Sequence, residues 1–164
     1  MPLPTPDVSV RPAVPGDETM IATIQWEAWT HALGDKIPVE ASQESFETLW
    51  QAAITSPPSR EHRVFTATDG PEKVGFAAVV TGGEIMALEV ERQRHRHGHG
   101  SRLLAACVDT MRTQGVSLAR TWVLEGDSIR EAFLTSAGFA PGGVERTLES
   151  AHGQVRESLW RAAL

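Results

Sequence analysis

Tyrosine is absent from this 164-residue chain, and cysteine occurs once, at Cys107. A lone thiol excludes an intrachain disulfide framework and fits a reducing compartment, so a cytoplasmic protein is expected. No apolar run approaches the ~20 residues that a membrane-spanning helix needs, so no membrane partner is expected. There is no internal repeat, and no low-complexity block other than one arginine/histidine tract. The N-terminus, MPLPTPD, lacks the charged-then-apolar pattern of a secretory signal and reads as a flexible lead-in over residues 1–7. A formal net charge of −6 argues against the whole protein acting as a polyanion binder.

What is present suits one domain over residues 8–164. Apolar residues make up 41% and charged residues 22%, and no linker-like stretch divides two core-forming segments. Val8–Ala13 reads as a strand. Asp17 is placed to cap a helix carrying Met20, Ile21, Ile24 and Ala28 at helical spacing. Ser42 is placed to cap a second helix, with Phe46, Leu49, Trp50 and Ala53 as its apolar stripe. Arg63–Thr68, Val74–Thr81 and Glu84–Val90, joined by Asp69–Gly70 and Gly82–Gly83, predict an antiparallel meander. A third helix carries Leu103, Leu104, Cys107, Val108 and Met111. A strand over Leu118–Leu124, a helix over Ser128–Ala137 and a hairpin of Val144–Ser150 with Val155–Ala162 complete the chain. The order β-α-α-β-β-β-α-β-α-β-β indicates an α+β, or mixed α/β, domain.

The basic tract runs RQRHRHGHGSRLL, Arg92 to Leu104. Its residues admit four readings. Alternate histidines at 95, 97 and 99 would share one strand face and could ligate a metal, but no further local ligand is present. Arginines suit nucleic-acid phosphates, but no aromatic residue lies in the tract to stack on bases. A solvated loop without a ligand is the third. The fourth uses position. The tract follows a strand and opens a helix, so Gly98, Gly100 and Ser101 lie where backbone N–H groups are unpaired and an anion can approach closely. Neither a Walker loop nor a dinucleotide fingerprint matches the spacing.

His95-Arg96-His97-Gly98-His99-Gly100 resembles the signature of the GNAT superfamily of acyl-CoA-dependent N-acyltransferases, Gln/Arg-x-x-Gly-x-Gly/Ala. Both glycines match; the first position is His95, and Arg94 or Arg96 is available as the cation. Asp127, then Ala132-Phe133-Leu134 and Ala137-Gly138-Phe139, resemble the family's second segment, Asn-x-x-Ala-x-x-Phe-Tyr-x-x-x-Gly-Phe. The similarity covers nearly the whole chain. It implies a mostly antiparallel twisted sheet with one splayed parallel pair and about four flanking helices. It also implies acetyl-CoA as the donor cosubstrate. Backbone groups of Leu88, Glu89 and Val90 would pair with its pantetheine arm. His95 and the N–H groups of His97, Gly98, His99, Gly100 and Ser101 would take the diphosphate, with Arg96 and Arg102 adding charge. Asp127 and Phe133 would flank the other side.

The implied reaction is attack by a primary amine, of a small molecule or a protein, on a thioester. An alkylammonium of pKa ~10.4 must first lose a proton, so a base helps. Glu84, at the start of its strand, and Glu89, beside the acyl-binding backbone, are the candidates; strict alternation puts them on opposite faces unless a bulge intervenes. The family's usual proton donor to the thiolate is a tyrosine, and Leu134 stands there instead. The resemblance therefore also allows a non-catalytic CoA-binding module. Trp26, Trp29 and His31 are candidate acceptor-site residues, the tryptophans by cation–π contact. The apolar C-terminal end, Leu159–Leu164, allows a homodimer.

Overall fold

The structure, a computed structural model, describes residues 7–164. The lead-in expected over residues 1–7 lies outside the described residues apart from Asp7. Seven strands form one sheet in the order β1-β2-β3-β4-β5-β7-β6. Their ranges are β1 Val8–Pro12, β2 Arg63–Asp69, β3 Glu72–Val80, β4 Glu84–Val90, β5 Leu118–Leu124, β6 Ala140–Ser150 and β7 Gly153–Ala163. The four α-helices are α1 Glu18–Leu33, α2 Gln43–Thr55, α3 His99–Thr113 and α4 Ser128–Ser136. Every neighbouring pair is antiparallel except β4 and β5. Among the described residues, no helix is long and apolar enough to cross a membrane.

The meander predicted over Arg63 to Val90 is present, and β3 lies inside it. Residues Val74 to Val79 of β3 are all buried, because both faces of the strand are covered. One face packs under α3 and α4 with Ala77, Val79, Ile85, Leu88, Leu103, Cys107, Met111 and Leu134. The other packs under α1 and α2 with Phe76, Ala78, Ile21, Ile24, Phe46 and Trp50. Ser42 caps α2 as expected, its hydroxyl accepting from the Ser45 amide at 2.9 Å. The expected stripe on α2 is narrower than its sequence suggested. Phe46 and Trp50 are buried, whereas Leu49 is 66% exposed, because α2 rests mainly on α1 and offers little surface to the sheet.

Asp17 stands at the N-cap position of α1, but its side chain makes no cap bond. It is fully buried and turned into the sheet. Arg11 Nη1 donates at 2.7 Å, Lys73 Nζ at 2.9 Å, Thr66 Oγ1 at 2.9 Å and the Val14 amide at 2.9 Å. One carboxylate thus ties β1, β2, β3 and the start of α1 together. Burial alone would raise its pKa; Arg11, Lys73, the Val14 amide and the Thr66 hydroxyl outweigh that and hold it well below the usual carboxylate range. The stability it contributes is therefore present above an unfolded-chain pKa of ~3.9 and is lost as pH falls through the lower folded value. Asp17→Asn should cost about 2–3 kcal/mol at neutral pH, less than for a fully buried pair because both cations are partly exposed. Urea unfolding at a series of pH values checks this: the gap between parent and variant should close as the pH is taken below the carboxylate range.

Candidate active site

Strand β4 is held along one edge by β3, but its only register pair with β5 is Glu84↔Arg120. The Thr121 hydroxyl donates to the Ile85 carbonyl at 3.0 Å just beyond it. Strand β5 keeps its whole length paired with β7, from Leu118↔Ala163 to Leu124↔Glu157. Each strand of the parallel pair follows its antiparallel partner, the stronger kind of ladder. The pair therefore opens toward its C-terminal ends. Helices α3 and α4 follow β4 and β5, so their first turns come to the mouth of this wedge.

A bulge sets what faces into it. Ala78 pairs with Ala87 and Val79 with Ile85, so Met86 is the extra residue on β4. Ile85 and Leu88, three residues apart, consequently both enter the core under α3. Glu84 and Glu89 pair with Val80 and Phe76 and leave β4 on the other face, toward α1 and α2. The opposite-face placement that simple alternation predicts is thus overturned by the bulge.

The basic tract is neither a strand nor an open loop. After a 3-10 turn at Arg92–Arg94 it is pinned at several points. Arg94 binds Asp69 at 3.1 Å and also pairs with Glu72, which commits its charge to the fold. His95 Nε2 meets the Val90 carbonyl at 2.9 Å. His99, the first residue of α3, is buried, with both ring nitrogens lacking a hydrogen-bond partner and the Asp69 carboxylate 3.6 Å away. Burial lowers the His99 pKa, although Asp69 opposes this. The expected common face of the three histidines does not exist, since His95 is tied to β4 and His97 stacks on His99 within the turn. Gly98 adopts φ +82°, and Arg96 is also left-handed at φ +67°. No side chain caps α3, so its first-turn N–H groups point outward unpaired. Arg102 folds back, Nη1 donating to the His97 carbonyl at 3.1 Å, and its guanidinium stands beside Gly98. Exposed Arg96 and Arg102 are thus the charges at this cradle.

From the β5 side, Asp127 caps α4, accepting from the Arg130 amide at 3.0 Å. The Phe133 ring lies 3.6 Å from where a Cβ on Gly100 would stand, which joins the first turn of α3 to α4. Arg130 reaches into the wedge. Its Nη2 donates to the Leu88 carbonyl at 2.7 Å and to Glu89 Oε1 at 3.0 Å. Burial pushes the Glu89 carboxyl up; Arg130 opposes this, Asp127 adds to it and His95 opposes it, and the net effect is upward. The sole thiol, Cys107, is buried in the core and pushed up to about 12, so it is no nucleophile.

Trp26 and Trp29 are half-buried and set edge-on to Phe46, with ring centroids 5.8 and 4.9 Å away. His31 is exposed. Beyond α1, a 3-10 turn at Gly34–Lys36 meets the β6–β7 turn. There Lys36 Nζ donates to the Gln154 carbonyl at 3.3 Å, and Asp35 lies 4.0 Å from His152.

The family model for acetyltransferases of the GNAT type matches residues 19–139, a span that includes the wedge and both helix starts. The chain belongs to the acetyltransferase (GNAT) family. The family takes its acyl group from acetyl-CoA. The fold agrees with solved GNAT structures. A GCN5-related N-acetyltransferase from Rhodopseudomonas palustris superposes with TM-score 0.74 at 19% identity, over 100% of this chain and 99% of that one. The yncA structure from Salmonella typhimurium, with its cofactor acetyl-CoA, gives TM-score 0.74 at 15% identity, over 96% and 94%. A ribosomal-protein-alanine N-acetyltransferase from Brucella melitensis gives 0.75 at 17% identity, over 94% and 99%. No curated protein matches the chain.

Against the GNAT pattern, the sequence reading missed Arg130. Counted from Asp127, the alanine of the second segment falls at position 130, where this chain has an arginine. A long cation in a small residue's place was the available signal. The two cradle glycines should also behave differently. Gly98→Ala forces a left-handed alanine with its Cβ 3.0 Å from Arg102 and should cost about 1 kcal/mol. Gly100→Ala meets only an ordinary contact with Phe133 and should cost little or add stability. Thermal melts of the two variants read the contrast.

Proposed function

We propose that the chain is an N-acetyltransferase, carrying an acetyl group from acetyl-CoA to a primary amine by direct attack on the thioester, with residues 8–164 acting as one domain. The observation that carries this reading is the meeting, at one wedge, of an uncapped glycine-containing helix start, an unpaired edge of β4 and a carboxyl group of raised pKa. The residues fit a pantetheine diphosphate. N–H groups of His97 through Ser101 suit the diphosphate, and Arg96 and Arg102 add positive charge beside them. The edge of β4 at Leu88, Glu89 and Val90, where only side chains of Arg130 and His95 meet the Leu88 and Val90 carbonyls, suits the amides of the arm. Asp127 shapes the far wall through its cap, Phe133 through its ring, and His95 positions the loop against β4. Acetyl-CoA supplies an activated acyl group when bound.

The protein's own task is to deprotonate and aim the amine. Glu89 is the stronger base candidate of the two carboxylates. Its burial makes it more basic than an ordinary glutamate, and the bulge turns it toward the α1–α2 side. Glu84 shares that face and is the second candidate. Trp26 and Trp29 lie on the same side of the sheet and are proposed as the acceptor wall, with His31 at its outer end. Amines of small molecules and of proteins both fit this chemistry. The Brucella melitensis neighbour is named for a protein amine.

Thiol release from acetyl-CoA across an amine panel tests the reading. Glu89→Gln should lower kcat by roughly 10²–10⁴-fold, and Glu84→Gln by less than about tenfold. The reverse ranking would move the base to Glu84. The acid limb of the parent's pH–rate profile should lie above the ordinary carboxylate value, since Glu89 must be ionised to accept a proton. Gly100→Glu puts a negative charge at the cradle and should abolish acetyl-CoA binding in calorimetry. Undiminished binding by that variant would remove the cradle from the site. Tight binding by the parent, with no turnover on any amine, would make the chain a CoA-binding module instead.

A further inference from the structure

Arg130 is tethered at its backbone by the Asp127 cap and held at its tip by β4. An arginine has five N–H donors. The Nη2 group uses its two on the Leu88 carbonyl and Glu89 Oε1, at 2.7 and 3.0 Å. The donors on Nη1 and Nε have no hydrogen-bond partner among the described residues. The side chain is 24% exposed, and neither Nη1 nor Nε is among the buried unpartnered atoms, so these donors remain accessible beside the wedge. Neighbouring arginines are turned elsewhere: Arg94 to Asp69, Arg102 to the His97 carbonyl and Arg120 to the Gly82 carbonyl. The chain has no tyrosine, and Leu134, one turn after Arg130, is buried in the core.

We propose that Arg130 is a catalytic residue of this acyltransferase, its free guanidinium donors receiving the negative charge that develops on the leaving sulfur. The inference rests on the acetyltransferase reading above. In the step, a neutral amine nitrogen bonds to the acyl carbon. The carbon–sulfur bond breaks and its electron pair goes to sulfur. Glu89 has already taken the ammonium proton, so the proton shed by nitrogen as the amide forms goes to water, and water protonates the thiolate after release. Arg130 keeps its proton throughout, so it acts by charge and hydrogen bonding rather than as an acid. The Glu89 contact sets the guanidinium at the acyl end of the wedge, and a pantetheine amide can take over the Leu88 carbonyl without releasing Arg130 from Glu89.

The test reads the thiol of bound CoA directly, by its thiolate ultraviolet absorbance through a pH titration of the complex. A cation at contact distance lowers a pKa by about 1–3 pH units. The bound thiol should therefore titrate at least about one pH unit below free CoA. Arg130→Gln should return it to the free value while CoA still binds, and Arg130→Lys should recover part of the lowering. With Arg130→Gln, kcat should fall by roughly tenfold for each pH unit by which the bound thiol's pKa rises. A parent complex whose thiol titrates like free CoA overturns the proposal and leaves the acetyltransferase reading standing. Failure of the parent to bind CoA at all removes that reading itself. An Arg130→Gln protein that binds CoA more tightly with an unmoved thiol pKa would make Arg130 a plug, which also overturns the proposal.

Discussion

The site depends on a conflict between ladders. Strand β4 follows β3 and strand β5 follows β7, each through an antiparallel ladder along its length, while the parallel pair between them is held at one register position. A buried strand edge with unpaired amides and carbonyls is costly unless something polar meets it. Here the Thr121 hydroxyl meets the Ile85 carbonyl, Arg130 the Leu88 carbonyl and His95 the Val90 carbonyl, so side chains rather than a neighbouring strand cover the edge. The same divergence brings the starts of α3 and α4 to one mouth, so an uncapped helix start and a strand edge without a strand partner arise from a single geometric cause.

The basic tract shows how a short charged run divides its work. Arg94 is tied to Asp69 and Glu72, His95 to the Val90 carbonyl, and His99 is buried beneath the turn. These residues build the loop. Arg96 and Arg102 remain exposed beside the free amides. Backbone strain is concentrated there as well, since Arg96 is left-handed without being a glycine. A protein of net charge −6 can therefore present a local cluster of positive charge beside unpaired amides.

Glu89 and Arg130 form the other half of the proposed site. Their pairing spans the gap between β4 and α4, and burial keeps the carboxyl more basic than an exposed one. A base for the amine and a cation for the sulfur would sit side by side, which is one solution for a chain without tyrosine. Asp17, far along the sheet from this pair, shows the opposite balance: several donors converge on it and outweigh its burial. The buried Asp17 and the half-buried Glu89 are thus shifted in opposite directions because one is saturated with donors and the other is not.

The meander, the cap at Ser42, the α3 stripe and the glycine-containing start of α3 were legible in the sequence because each depends on residues close together in the chain. The GNAT resemblance was legible for the same reason. The face shared by Glu84 and Glu89 was not, because Met86 is an extra residue only relative to β3. The burial of Asp17 and the exposure of Leu49 depend on neighbours tens of residues away. Arg130 was visible as a letter but not as a contact, since its partners lie 41 and 42 residues back. Local spacing determined which elements this chain would form and where the glycine-containing start of α3 would fall. Tertiary structure alone decided which charges meet across the wedge, because long side chains choose partners by distance in space, which a sequence does not contain.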